Sequence, residues 1–229
     1  MSDGPRLPLL LVGATGLIGS AVIAATSARA DVQLAALARR EADLPAGARL
    51  EMLVADPADW PAAIARARPE VMVIALGTTI AAQGGDRQAF RAVDHDLVVD
   101  VARAARAAGT RQVILVSSVG ADPAARNFYL SVKGETEAAL NKLNFARFDI
   151  LRPGLLRGRR TGAPRPAERI GQIVAPLIDP LLFGRWAAFR SVHARDVAAA
   201  ILALAGRTGR GRHVHGTPDI HRLAHQRLT

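Results

Sequence analysis

The turn Gly13-Ala14-Thr15-Gly16-Leu17-Ile18-Gly19 sits between an apolar run at 8–12 and a helical stretch at 17–28, and it constrains the chain more than any other feature. A continuous apolar run that stops at a glycine suits a strand buried on both faces of a sheet. The first glycine permits the tight turn. The second lets backbone approach a pyrophosphate, and the third lets helix and strand pack closely. The helix start adds unpaired N–H groups and the positive end of a dipole, both suited to phosphate. In this strand–turn–helix context, Gly13, Thr15, Gly16, Leu17, Ile18 and Gly19 are expected to hold a dinucleotide.

Further apolar runs at 32–38, 50–54, 71–76, 112–116 and 148–151 read as strands. Residues 59–68, 90–108 and 129–143 read as helices between them. In the longest, Phe90, Val93, Leu97, Val101, Ala104, Ala105 and Ala108 keep helical spacing up to Gly109, a typical C-terminal stop. Alternating strands and helices predict an α/β fold, a Rossmann-type doubly wound parallel sheet. After Arg152-Pro153-Gly154 the pattern changes. Residues 157–190 carry Pro164, Pro166, Pro176 and Pro180 among arginines, an irregular insertion before a last clear helix at 194–204. The expectation is one domain, 1–229, with a dinucleotide-binding core at 1–156 and a substrate-side segment and appendage at 157–229.

The absence of cysteine excludes disulfide staples and thiolate chemistry. Charge is uneven: residues 157–229 hold 13 arginines against 4 acidic residues, +9 of the chain's formal +10. Most of these arginines read as solvated; the alternative puts some of Arg157, Arg159, Arg160, Arg165 and Arg169, on the carboxyl side of the strands, near an anionic small-molecule substrate. An anionic lipid surface remains an open reading, and no nucleic acid is expected. No apolar run is long enough to span a bilayer. The N-terminal resemblance to a signal peptide is broken by three glycines and Asp3, so the cytosol is the default expectation.

The end of the second strand discriminates between cofactors. An NAD site places an acidic residue about 20 positions beyond the turn, on the ribose 2′-hydroxyl. Here Arg39 and Arg40 stand there, with Glu41 after them. Guanidinium suits a 2′-phosphate, so NADP(H) is expected. Asp56, at the end of the third strand, either accepts a bond from the adenine amine or caps the helix after Pro57.

Ser118, Tyr129 and Lys133 form a second constellation. Tyr129 and Lys133 are four apart, on one face of a helix. A free tyrosine has a pKa of about 10, and a neighbouring ammonium favours its phenolate. Ser118 follows the fifth strand and is placed to hold a substrate oxygen, although spacing leaves Ser117 open as the catalytic serine. His213-x-His215 and His221-x-x-x-His225 have metal-like spacing without accompanying carboxylates, and are read as solvated tail histidines.

The glycine turn, and a serine ahead of a Tyr-x-x-x-Lys helix, resemble the atypical branch of the short-chain dehydrogenase/reductase superfamily. Leu76-Gly77-Thr78-Thr79, Val93-Asp94, Val116-Ser117-Ser118, Tyr129-Leu130-x-x-Lys133-Gly134-Glu135-x-Glu137 and Leu151-Arg152-Pro153-Gly154 are similar to the Tat-interacting-protein family within it. The likeness covers roughly 9–157. It implies NADPH binding and a reductase or dehydrogenase activity. It adds Leu76, Gly77, Thr78, Lys133 and Pro153 to the cofactor contacts, and a homodimer as the assembly common in the superfamily. Two departures stand out. Leu76-Gly77-Thr78-Thr79 replaces an Asn-Asn-Ala-Gly motif. The asparagine of the proton relay is missing, with Asp94 nearby, so any relay must differ. The leading expectation is carbonyl reduction; the alternative is an NADPH-binding sensor without robust turnover. A sugar-nucleotide epimerase is disfavoured by the short C-terminal portion.

Overall fold

The computed structural model describes residues 6–41, 44, 47–158 and 190–226. β1 (Leu7–Val12), β2 (Val32–Ala38), β3 (Leu50–Val54), β4 (Val71–Ile74), β5 (Gln112–Val116), β6 (Arg147–Arg152) and β9 (Gly211–Gly216) form one sheet in the order β3-β2-β1-β4-β5-β6-β9. Every pairing in it is parallel. The strands are bounded by α1 (Leu17–Thr26), α2 (Trp60–Ala67), α3 (Arg87–Arg91), α4 (Leu97–Ala107), α5 (Phe128–Asn141), α6 (Ala194–Leu204) and α7 (Thr217–His225).

Alternation within each strand explains the two layers. Leu9 and Leu11 of β1 join a core with Ile18 and Val22 of α1, Val197 and Ile201 of α6, and Ile220 of α7. Leu10 and Val12 point the other way, into a core with Ile64 of α2, Val98 and Ala102 of α4, and Leu140 of α5. Both faces being covered accounts for the unbroken apolar runs. The strand order reverses at β1 and β4, so the site expected for an open α/β sheet lies beyond the carboxyl ends of those two strands.

Three differences from the sequence reading have physical causes. The helix expected at 90–108 is interrupted: Ala92–Asp96 is a π-helical segment between α3 and α4. Hydrophobic spacing survives one inserted residue, so periodicity does not reveal it. The seventh strand, β9, was read as a polar tail because its Gly-Arg-His-Val-His-Gly carries one aliphatic residue, Val214, which is exposed. Buried polar bonds hold that strand instead. Asp149 of β6, fully buried, receives Arg147 Nε at 2.6 Å and Gln112 Nε2 at 2.8 Å, with His215 Nε2 of β9 at 2.9 Å. Gln112 Nε2 also donates to the Leu204 carbonyl at the end of α6. His215 is therefore a buried-pair histidine, not a solvated one.

The third difference concerns the ends of the irregular segment, which are paired. β7 (Leu156–Arg157) runs parallel to β8 (Val192–His193) in a separate two-stranded sheet. A Cβ built at Gly158 would lie 2.8 Å from Leu17 Cδ1, so this pair borders the start of α1. Arg159, Arg160, Arg165 and Arg169, four of the five candidates to lie near an anionic substrate, fall outside the described residues. Among the described residues, no helix is long and apolar enough to cross a membrane.

Candidate functional site

The glycine turn is built by contact. Gly13 has a φ of +98°, and a Cβ there would stand 2.5 Å from the Ala75 carbonyl oxygen, just beyond β4. At Gly19 it would stand 2.2 Å from the Gly13 carbonyl oxygen. No other residue permits β1, β4 and α1 to meet this closely. Gly16 is the N-cap of α1 and brings no side-chain hydrogen bond. The first N–H groups of a ten-residue helix therefore face outward beside an exposed Thr15. This uncapped helix start behind a glycine-lined turn fits a pyrophosphate. Ile18 is buried, so only its backbone is offered to a ligand.

Arg39 and Arg40 are exposed immediately past the end of β2, next to the strand that carries the turn. Asp56 accepts a hydrogen bond from Ala58 N at 3.1 Å and caps the short helical turn Pro57–Asp59, the second of its two expected roles. Pro153 is buried beyond β6, where its carbonyl accepts from Val119 N at 3.0 Å.

The second constellation stands at the carboxyl ends of β4, β5 and β6. Tyr129 and Lys133 lie on α5, whose N-cap Asn127 accepts from Leu130 N at 3.2 Å. The Tyr129 ring packs on the fully buried Phe90, 5.6 Å between centroids, and Lys133 Nζ lies 5.9 Å from the Tyr129 centroid. A Cβ at Gly134 would fall 2.2 Å from the Asp122 carbonyl carbon, so that glycine brings the loop after β5 against the helix. Ser118, half-buried, reaches only its neighbour's carbonyl at 3.3 Å. Ser117 donates at 2.6 Å to Glu137, which also receives Arg152 Nε at 2.9 Å. The arrangement commits the Ser117 hydroxyl to a buried carboxylate and leaves the Ser118 hydroxyl for another acceptor.

The sequence reading singled out neither Glu137 nor Asp94 as a working residue. Asp94, with no exposed surface, sits 2.7 Å from Lys133 Nζ and accepts from Thr78 N at 2.8 Å. The signal for it was the missing relay asparagine. The Lys133 ammonium beside Tyr129 thus has its charge countered by a buried carboxylate. Gly77 borders the pair: a Cβ there would be 3.5 Å from Asp94 Oδ1 and 3.7 Å from Lys133 Nζ.

Residues 13–207 match a family described as NAD(P)H-binding. Relatives include "Protein fmp52, mitochondrial" from Aspergillus fumigatus, 37% identical over 86% of this chain and 88% of that protein. The protein of the same name from Eremothecium gossypii is 38% identical over 86% and 87%. Among solved structures, MoeE5 in complex with UDP-glucose and NAD superposes with a TM-score of 0.69 at 16% identity, covering 96% of this chain and 81% of that one. The UDP-glucose 4-epimerase of Thermotoga maritima gives 0.67 at 14%, covering 94% and 81%. At such identities the likeness is one of fold. The cytosolic expectation is overturned, because these relatives carry the word mitochondrial in their names. The cytosolic expectation rested on residues 8–28 being strand and helix, and those residues do form β1 and α1, which settles their place in the fold and not the protein's location.

Proposed function

The chain belongs to the NAD(P)H-binding family, within the atypical short-chain dehydrogenase/reductase superfamily, and from that premise we propose an NADP(H)-dependent reductase of a small carbonyl compound. The observation that carries the proposal is the placement of a buried ammonium, Lys133, 5.9 Å from the ring of Tyr129 beside the switch point of the sheet. The Gly13–Gly19 turn would hold the dinucleotide, which would supply the hydride for the carbonyl carbon. Ser118 orients the carbonyl by donating a hydrogen bond to its oxygen. As the carbonyl electrons move onto that oxygen, the Tyr129 hydroxyl gives up its proton to it, leaving an alcohol, and the tyrosine is reprotonated from solvent. Lys133 holds the ribose next to the reacting ring. The charge excess after residue 156 supports an anionic substrate class.

The cofactor choice rests on Arg39 and Arg40. One or two charge-assisted hydrogen bonds to a 2′-phosphate correspond to a preference of about ten- to hundredfold for NADPH over NADH. NADPH should therefore raise the melting temperature more than NADH at equal concentration, since tighter binding to the native state stabilises it more. Arg39→Ala should narrow that difference while leaving the NADH shift as it was. Equal shifts for the two cofactors in the unaltered protein would overturn the assignment.

A further inference from the structure

Three buried carboxylates stand out among the described residues: Asp149, Glu137 and Asp94. The first two are bound by arginines and tie strands or a helix to the sheet. Asp94 differs, since its ionic partner is Lys133, a residue assigned above to the cofactor. It also lies where helical regularity fails. The π-helical segment Ala92–Asp96 inserts one residue between α3 and α4, and such bulges occur frequently at functional sites. The Thr136 hydroxyl of α5 stands 2.9 Å from the Asp94 carbonyl, and Lys133 and Thr136 are three apart on one face of that helix. On the opposite side the Asp94 carboxylate takes the Thr78 N–H of the loop after β4.

We infer that Asp94 is the positioning residue for Lys133 and for the Leu76–Thr79 loop together. One carboxylate oxygen pairs with the ammonium and the other accepts from the loop's backbone, so a single side chain fixes both the Lys133 ammonium and the loop after β4, the two groups that would meet the cofactor. Only an anion both pairs with the ammonium through Oδ1 and accepts from Thr78 N through Oδ2. An asparagine keeps one acceptor for Thr78 and turns an amide N–H₂ toward the ammonium. The inference rests on the reductase reading, because it needs Lys133 to meet the cofactor.

The role predicts a signature that a merely structural ion pair lacks. Asp94→Asn should weaken NADPH and NADH alike, by about tenfold, the worth of one well-placed charged hydrogen bond. The preference between them should stay unchanged, because the 2′-phosphate end is untouched. Lys133→Met should weaken both to a similar degree. In the Lys133→Met background, adding Asp94→Asn should cost nothing further, the non-additivity of residues that act through one another. Thr136→Val, which removes the hydroxyl shared between the Asp94 and Val132 carbonyls and leaves the Asp94 carboxylate in place, should weaken both cofactors by a smaller, equal factor. It serves if Asp94→Asn fails to fold.

Dissociation constants by nicotinamide fluorescence, with melting curves as a check on folding, decide the matter. Additive losses overturn the inference about Asp94, as do unchanged affinities in both Asp94→Asn and Thr136→Val. If Lys133→Met itself binds both cofactors like the unaltered protein, the cofactor site as read above is wrong, a separate failure.

Discussion

Tyr129→Phe should bind NADPH almost as the unaltered protein does and lose carbonyl reduction by about 10²–10⁴ in kcat, the range for a positioned proton donor. The substitution deletes one hydroxyl. The phenylalanine ring keeps its packing against Phe90, whose centroid is 5.6 Å away, and the α5 face that carries Lys133 is unchanged. Phe128, 6.0 Å from Phe90 by the same measure, holds the first turn of the helix from the other side. A loss in kcat with cofactor affinity intact isolates a group that acts in the transition state alone. Normal turnover by the variant would make Tyr129 a packing residue and leave the reaction without its proton donor.

Asp149→Ala should lower stability by about 3–5 kcal/mol, the usual cost of leaving a buried charge without its partner. For a domain of this size that corresponds to roughly 6–20 °C in melting temperature. Arg147, 5% exposed, would lose both of its bonds to the carboxylate, and β9 would lose the His215 contact that ties it to β6. Burial alone would raise the Asp149 pKa, but the bonds from His215, Arg147 and Gln112 together outweigh it and hold the group below the usual carboxylate value. The sign of the pH dependence follows. A depressed folded-state pKa contributes stability above the unfolded value of about 3.9, and the contribution is lost as pH falls through the folded value. The deficit of the alanine variant should be full near neutrality and shrink below about pH 4. Thermal melts of both proteins across that range test this; a deficit that grows with acid would refute it. Replacing Arg147 and Asp149 together by apolar residues of similar volume should recover much of the loss.

Much of the fold was legible because the parallel strands are buried on both faces. β1 and β4 read as unbroken apolar runs, β2 and β5 as apolar runs with a single glutamine each, and all four lie where those runs predict. β9 was not legible, since a six-residue polar edge strand owes its place to Asp149 and Arg147, residues distant in sequence. The π-helical turn escaped for a similar reason, as its stabilising partner Thr136 lies on another helix. At the site, the glycine turn and the Tyr129–Lys133 spacing were local and readable. The Asp94–Lys133 pair was not, because it joins two helices 39 positions apart in the sequence. Ser117 and Ser118 looked equivalent on the chain. Their difference comes from Glu137, which takes the first and leaves the second.

Hydride passing from NADPH, held on the Gly13–Gly19 turn, to a carbonyl beside Tyr129 would carry an isotopic label with it. NADPH deuterated at its transferable position, incubated with the protein and a panel of aldehydes and ketones, tests this most directly. Mass spectrometry should find at least one alcohol product carrying a single deuterium, formed in step with cofactor oxidation and absent with Tyr129→Phe. Tight binding of NADPH with its label retained, and every carbonyl compound on the panel recovered unlabelled, would contradict hydride transfer and make the chain a binder of the cofactor.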